Sequence, residues 1–210
     1  MPRKVRPLDR PTVVRDASLI VVASEDTHAV KQYFARFHPR RVQFLVLATE
    51  DGRSSPADVL ARLDKYSEEY QVGDGDQLWL CLDTDHWVEA GYIQKLVETL
   101  RLCKQKRYRV AINHPCFELW LLLHFAELVP AESLKCREVV SQLRQAAGSY
   151  QKDKGSRLVI DEEMVLQAVT RARTLDTAGE GAADTIPSSP TTRVYLLVEE
   201  LLARESIRLS

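Results

Sequence analysis

The sequence has no excess of charge of either sign. Of its 210 residues, 29 are Lys or Arg and 30 are Asp or Glu, which gives a formal net charge of −1 at pH 7. The chain as a whole therefore does not attract nucleic acid or an anionic membrane, and any phosphate-binding surface requires local segregation of charge. With 45% hydrophobic and 28% charged residues, the composition is that of a globular protein and excludes a wholly disordered chain.

Long hydrophobic runs are also missing. Runs such as residues 119–123 are only five residues long, far too short to span a bilayer. The basic segment at residues 1–11 is followed by an apolar run of only five residues, 19–23, with no region that resembles a cleavage site. This pattern is not that of a signal peptide, so we expect a cytoplasmic protein without a membrane partner.

Cysteine is scarce, and none of the cysteines forms a CxxC pair. Each of them lies in an apolar or helical stretch, which predicts buried, reduced thiols. A zinc site or a disulfide framework is not expected. The residues concerned are Cys81, Cys103, Cys116 and Cys136.

Several motifs of nucleotide and acyl chemistry are absent. The sequence contains neither GxGxxG nor GxxxxGK[ST], which argues against dinucleotide binding and against a P-loop ATPase. No Ser or Cys stands in a nucleophile-elbow context. Candidate chemistry must therefore be sought among the acidic residues.

The hydrophobic pattern predicts an α/β fold. Short apolar runs rich in β-forming residues are each followed by a helical pattern, as in βαβ units around a parallel sheet. Beyond Pro130 the pattern is helical alone. We therefore expect an α/β core over residues 15–128 and a helical C-terminal region over residues 129–210, packed on one side of the sheet. The predicted strands lie at residues 19–23, 42–48, 78–82 and 108–112.

Acidic residues follow two of the predicted strands. Glu25 comes directly after the first strand, and Asp83 and Asp85 end the third. The crevice outside the carboxyl ends of parallel strands is the usual ligand site of an open sheet. Carboxylate oxygens suit Mg²⁺ or Mn²⁺, which activate water and neutralise a scissile phosphate. The alternative is that Asp83 and Asp85 cap the helix that follows.

A second candidate group surrounds Glu118, the only charged residue of a predicted helix at 116–125. This helix is apolar on every side and should be buried, where a carboxylate is costly unless it is paired or bound. His114 lies one turn earlier on the same face. The alternative for Glu118 is a first-turn acid that favours the helix dipole. A loop at residues 150–155 could fold back over the crevice and bring Lys152 with it.

Four segments together resemble the RloB-like proteins of bacteria, over about residues 19–202. The most specific is HPCFELWLLLHF at residues 114–125, which is similar to the central signature of that family. The other three are VVASEDTHAVKQYF, LWLCLDTDHW and SPTTRVYLLVEEL. The resemblance implies a Toprim-like core related to the OLD-family nucleases, and an association with phage defence loci beside an ATPase gene.

The resemblance implies a Mg²⁺- or Mn²⁺-dependent nuclease that acts on DNA or RNA in antiphage defence, as a possible homo-oligomer. Its metal ligands would be Glu25, Asp83 and Asp85, with Glu25 as general base. Glu118 and His114 would support this site or hold a second metal ion, and Lys152 would contact phosphate. The sequence departs from the family pattern at Asp26, His28 and His114, which leaves open the alternative of a non-catalytic regulatory subunit that binds a partner ATPase.

Overall fold

The structure of the protein is a computed structural model, which describes residues 18–49, 52–88, 92–128, 134–151, 158–176 and 185–204. In these ranges the chain forms one sheet flanked by helices. The strands are β1 (Ser18–Ser24), β2 (Val42–Leu47), β3 (Gln77–Asp83), β4 (Arg109–His114) and β5 (Thr191–Thr192). The helices are α1 (Ala29–Phe34), α2 (Pro56–Glu69), α3 (Ile93–Lys106), α4 (Glu118–Leu122), α5 (Cys136–Ala147), α6 (Glu162–Leu175) and α7 (Val194–Arg204).

The sheet has the strand order β2-β1-β3-β4-β5. The first four strands are parallel, and β5 runs antiparallel to β4. This confirms the predicted α/β class and the pairing of the first and third strands, so that both end at the same edge of the sheet. The short strand β5 was not predicted, and through it the C-terminal region joins the sheet itself.

Two hydrophobic cores lie on opposite faces of the sheet, because alternate residues of each strand point to opposite sides. The α2–α3 core contains Leu19, Val21 and Ala23 of β1 together with apolar residues of α2 and α3. The α4–α7 core contains Ile20 and Val22 of β1 with residues of α1 and of helices α4 to α7. Strands buried on both faces explain why their sequences are continuous apolar runs.

Helix α4 is shorter than the predicted helix at 116–125, but all five of its residues are buried, as expected. The α4–α7 core joins α4 to α5, α6 and α7, and thus crosses the predicted boundary between residues 128 and 129. This packing does not separate the two regions, and the division at this boundary stays a prediction. Among the described helices, none combines the length and hydropathy needed to cross a membrane.

The expectation of four reduced cysteines is wrong for one pair. Cys81 and Cys103 are buried free thiols, but Cys116 and Cys136 form a disulfide. The fold brings the start of α5 beside the residues that precede α4, with Cα atoms 5.6 Å apart, which is within disulfide range. The two residues are 20 positions apart, and no spacing motif in the sequence marks them as partners.

Candidate functional site

The side chain of Glu25 ties the end of β1 to the loop that follows β3. One carboxylate oxygen accepts a hydrogen bond from the backbone N–H of Asp83, and the other accepts one from Nε1 of Trp87 at 3.2 Å. Glu25 itself lies one residue beyond β1. The ends of β1 and β3 lie close together, as expected, and the two hydrogen bonds of the Glu25 carboxylate link them.

Asp83, the last residue of β3, is only 8% exposed. Its Oδ1 accepts a hydrogen bond from Nδ2 of Asn113 at 3.0 Å, and Asn113 is its register partner on β4. Oδ1 of Asn113 in turn accepts a hydrogen bond from the Thr192 hydroxyl at 2.6 Å. Sequence reasoning missed both of these neighbours. The position of the Asp83 carboxylate is thus set by side chains on two further strands.

Asp85 and His114 lie at the more open rim of this edge. The Asp85 carboxylate is 3.8 Å from Nε2 of His86, and its backbone N–H donates to the carbonyl of Pro115. Nδ1 of His114 lies 2.6 Å from the Thr84 hydroxyl. Burial lowers the pKa of His114, and the charge of Asp85 opposes that shift. Burial at this rim therefore favours the neutral form of the His114 imidazole.

The alternative role for Asp83 and Asp85, as caps of the following helix, does not fit the structure. Helix α3 begins at Ile93, with Tyr92 at the N-cap position and no side-chain cap. Asp83 is the last residue of β3, and Asp85 is bonded through its backbone to Pro115. Neither aspartate lies at the start of α3.

Glu118 is the first residue of α4 and is 1% exposed. Its Oε1 accepts a hydrogen bond from the Tyr150 hydroxyl at 3.1 Å. Its Oε2 lies 3.8 Å from the Cys136 sulfur, which carries no proton in the disulfide and does not donate. Burial, and then the charge of Glu118, raise the pKa of Tyr150. The chain after α5 brings Tyr150 against Glu118, while Lys152 lies outside the described residues.

Asp26 is a member of this acidic group that the sequence analysis did not single out. It is 8% exposed, and its Oδ1 accepts hydrogen bonds from the backbone N–H groups of His28, at 2.7 Å, and Ala29. The charges of Asp26 and Asp83 both act on the Tyr150 hydroxyl, in addition to that of Glu118. An acid directly after Glu25 at a strand end was the available signal.

The same negative charges also act on the buried thiol of Cys81. Burial raises its pKa well above the usual value, and the charges of Asp83, Glu25 and Asp26 raise it further. Asp83, Glu25 and Asp26 thus act on the Cys81 thiol, and Asp26 and Asp83 act together with Glu118 on the Tyr150 hydroxyl. We call Glu25, Asp26, Asp83 and Glu118 the acidic cluster.

The side chains that lie close enough together to share a metal ion are not the three that the sequence predicted. In the described part of the chain, the one group of three such side chains with ligand atoms within 4.8 Å of one another is Cys116, Glu118 and Cys136. Its two sulfurs are joined as a disulfide and are not thiolate ligands. The structure does not bring Glu25, Asp83 and Asp85 that close, so their metal role stays a prediction. The acidic cluster offers oxygen donors alone, the donor chemistry that suits Mg²⁺ or Mn²⁺.

The fold and site define an α/β protein with buried carboxylates at the carboxyl edge of a mostly parallel sheet. The family model for RloB-like proteins matches residues 20–201. The chain therefore belongs to the RloB-like family. No curated protein matches it, and neither does any solved structure.

Proposed function

We propose that this protein is a Mg²⁺- or Mn²⁺-dependent nuclease of a bacterial antiphage defence system, with a Toprim-like core related to the OLD-family nucleases. The observation that carries the proposal is the acidic cluster, in which the buried Asp26, Asp83 and Glu118 accompany the half-buried Glu25 near the carboxyl ends of parallel strands. Buried carboxylates repel one another in a medium of low dielectric, and a divalent cation relieves this repulsion. Membership of the RloB-like family supports the assignment to defence.

In this proposal Asp83 and Asp85 hold the cation, and Glu25 completes the site. A divalent cation bound there supplies a nucleophilic water and neutralises charge on the scissile phosphate. Glu25 takes the proton of the attacking water, and its orientation is fixed by the N–H groups of Asp83 and Trp87. The low exposure of Asp83 strengthens each of these electrostatic interactions.

The approach for a phosphodiester lies at the rim formed by Asp85 and His114. The Asp85 side chain is 24% exposed, compared with 8% for the whole of Asp83 and 1% for Glu118. His114, held by Thr84, can form a hydrogen bond to a phosphodiester oxygen at this rim. Glu118 and Tyr150 form the buried back of the site, and we assign Lys152 to phosphate contact.

The test is metal-dependent cleavage by the purified full chain. Plasmid, single-stranded DNA and tRNA are incubated with the protein in Mg²⁺, in Mn²⁺ and in EDTA. We expect slow cleavage of one of these substrates that needs the metal and falls about 1,000-fold or more in the Asp83→Ala/Asp85→Ala variant. The control variant is Asp74→Ala, in an exposed turn before β3, which should cleave like the parent. Cleavage that persists in EDTA or in the double variant would overturn the proposal.

A second candidate function is a regulatory subunit that binds a partner ATPase. The observation that favours it is the exposure of two large apolar residues of the C-terminal region, Val159 at 84% and Leu166 at 54%. Phage infection of cells carrying the Asp83→Ala/Asp85→Ala variant separates the two candidates. Loss of protection supports the nuclease, whereas protection equal to that of the parent supports the regulatory subunit.

A further inference from the structure

The short strand β5 lines up with the ends of β3 and β4 at the acidic cluster. Asp83 is paired in register with Asn113, and Asn113 is paired in register with Thr192. Asn113 and Thr192 are 0% exposed, and Asp83 is 8% exposed. Three side chains from three neighbouring strands therefore form one buried row that leads from the C-terminal region to the acidic cluster.

The hydrogen bonds along this row have a fixed direction. The backbone N–H of Val194 donates to the Thr192 hydroxyl at 3.4 Å, and that hydroxyl donates its proton to Oδ1 of Asn113 at 2.6 Å. The carbonyl of Leu82 and the carboxylate of Asp83 accept only, so the NH₂ group of Asn113 faces β3 and its Oδ1 faces Thr192. Nδ2 of Asn113 then donates to Oδ1 of Asp83 at 3.0 Å and to the carbonyl of Leu82 at 3.4 Å.

The row is anchored at its far end by Arg193, whose side chain is 1% exposed. Its backbone N–H donates to the carbonyl of Ile112 at 2.9 Å, which fixes β5 beside β4. Its guanidinium donates to both carboxylate oxygens of Asp176, at 3.1 and 3.3 Å, and to the carbonyl of Thr185 at 2.8 Å. Thr192 is thus followed in the chain by a residue that a buried ion pair and a backbone hydrogen bond hold in place.

We propose that Thr192, acting through Asn113, is a positioning residue that fixes the orientation of the Asp83 carboxylate for a divalent cation. This inference rests on the proposed nuclease function and names how its metal site is oriented. An amide N–H donor favours the charged carboxylate and restricts its rotation. Hydrogen-bond partners behind a metal ligand contribute about 10- to 100-fold to metal affinity or activity.

The neighbouring Thr191 provides a matched control. It is 2% exposed and lies on the same strand, but its hydroxyl has no hydrogen-bond partner among the described residues. The same substitution, Thr to Val, therefore removes a hydroxyl from the row at 192 and removes one outside it at 191. Both changes keep the shape of the side chain.

The experiment measures Mn²⁺ affinity of the full chain by titration calorimetry, with thermal unfolding recorded for each variant. Thr192→Val should raise the Kd for Mn²⁺ about 10- to 100-fold. Thr192→Ser keeps the donor and should bind within about 3-fold of the parent, and Thr191→Val should bind like the parent. Should Thr192→Val fail to fold, Thr192→Ala is compared with Thr191→Ala instead.

The outcomes are distinguishable. A parent protein that binds no Mn²⁺ overturns the nuclease proposal together with this inference. A parent that binds Mn²⁺ with the same Kd as Thr192→Val overturns the inference alone. Equal weakening by Thr191→Val and Thr192→Val also overturns it, because the effect would then come from packing around β5 and not from the hydrogen-bonded row.

Discussion

On the α2–α3 side of the sheet, the hydrophobic core consists mainly of Leu and Val. The long-range polar contacts beside it, such as Arg62 of α2 with Thr49, are only partly buried. The α4–α7 side is rich in aromatic residues and contains buried polar pairs that join distant parts of the chain. These pairs are Tyr33 with His124, Glu118 with Tyr150, and Asp176 with Arg193.

This difference separates two kinds of stability. An aliphatic core depends on volume and tolerates substitutions of similar size, whereas a buried polar pair depends on both partners. The acidic cluster borders the α4–α7 side, since Glu118 is a member of the cluster and bonds to Tyr150 of that side. The α2–α3 side acts as the support, and the α4–α7 side as the part that shapes the site. The predictions below test this division, from the largest expected effect to the smallest.

The largest effect on stability is expected for the buried ion pair. Arg193→Met leaves the Asp176 carboxylate buried without its guanidinium and should lower the free energy of unfolding by about 3–5 kcal/mol. The control on the other face is Leu63→Met, which conserves volume and should cost less than about 1.5 kcal/mol. Urea unfolding measures both. If Arg193→Met costs no more than Leu63→Met, the two faces do not differ as described.

The disulfide between Cys116 and Cys136 also lies on the α4–α7 side. It closes a loop of 20 residues, and a cross-link of that loop length stabilises the folded chain by about 3 kcal/mol in the chain-entropy model. Reduction of the parent should therefore lower its urea midpoint, and the Cys116→Ser/Cys136→Ser variant should match the reduced parent. The variant should not respond to reductant. An identical midpoint with and without reductant would show that the pair contributes nothing to stability.

For Glu118→Gln, activity and stability should separate. The amide keeps the volume and still accepts a hydrogen bond from Tyr150, so the free energy of unfolding should change by less than about 1 kcal/mol. Loss of the charge should lower cleavage about 100-fold, in the range found for groups that support a metal site. Glu98→Gln, on the exposed face of α3, is the control and should change neither quantity. A stability loss of about 2 kcal/mol with full activity would assign Glu118 a structural role.

His124 should make the polar side sensitive to pH. Burial lowers its pKa from 6.5 to about 4. Between these values the unfolded chain binds a proton that the folded chain does not, so stability falls as the pH falls, by up to about 1.4 kcal/mol per pH unit. In His124→Gln the contribution of His124 should be lost and the slope should be shallower than in the parent, while Leu63→Met should keep the slope of the parent. Equal slopes in His124→Gln and the parent would contradict the assignment.

Much of the fold could be predicted from local patterns. The four parallel strands and their helices follow from apolar runs of five to seven residues and helical periodicity, which the chain shows without reference to distant parts. Strand β5 could not be predicted, because a strand of two residues shows no periodicity. Its place beside β4 depends on the backbone pairing of Thr191 and Thr192 with residues almost 80 positions earlier.

The candidate site was predictable only in its acids. Glu25, Asp83 and Glu118 stand out because charge is unusual directly after a buried strand or inside an apolar helix. The roles of Asn113, Tyr150 and Thr192 could not be predicted, because their partners are 30 to 79 residues away and are determined by the tertiary fold. The disulfide was missed for the same reason.

The position of β5 in the chain sets an order of events during synthesis. All four carboxylates of the acidic cluster precede residue 119, whereas the threonine that orients Asp83 through Asn113 is 79 residues further on than that asparagine. A nascent or truncated chain that ends before Thr191 carries every acid and lacks the donor. Under the proposed function, translation itself delays competence, because the hydrogen-bonded row that orients Asp83 can form only after Thr192 has been synthesised.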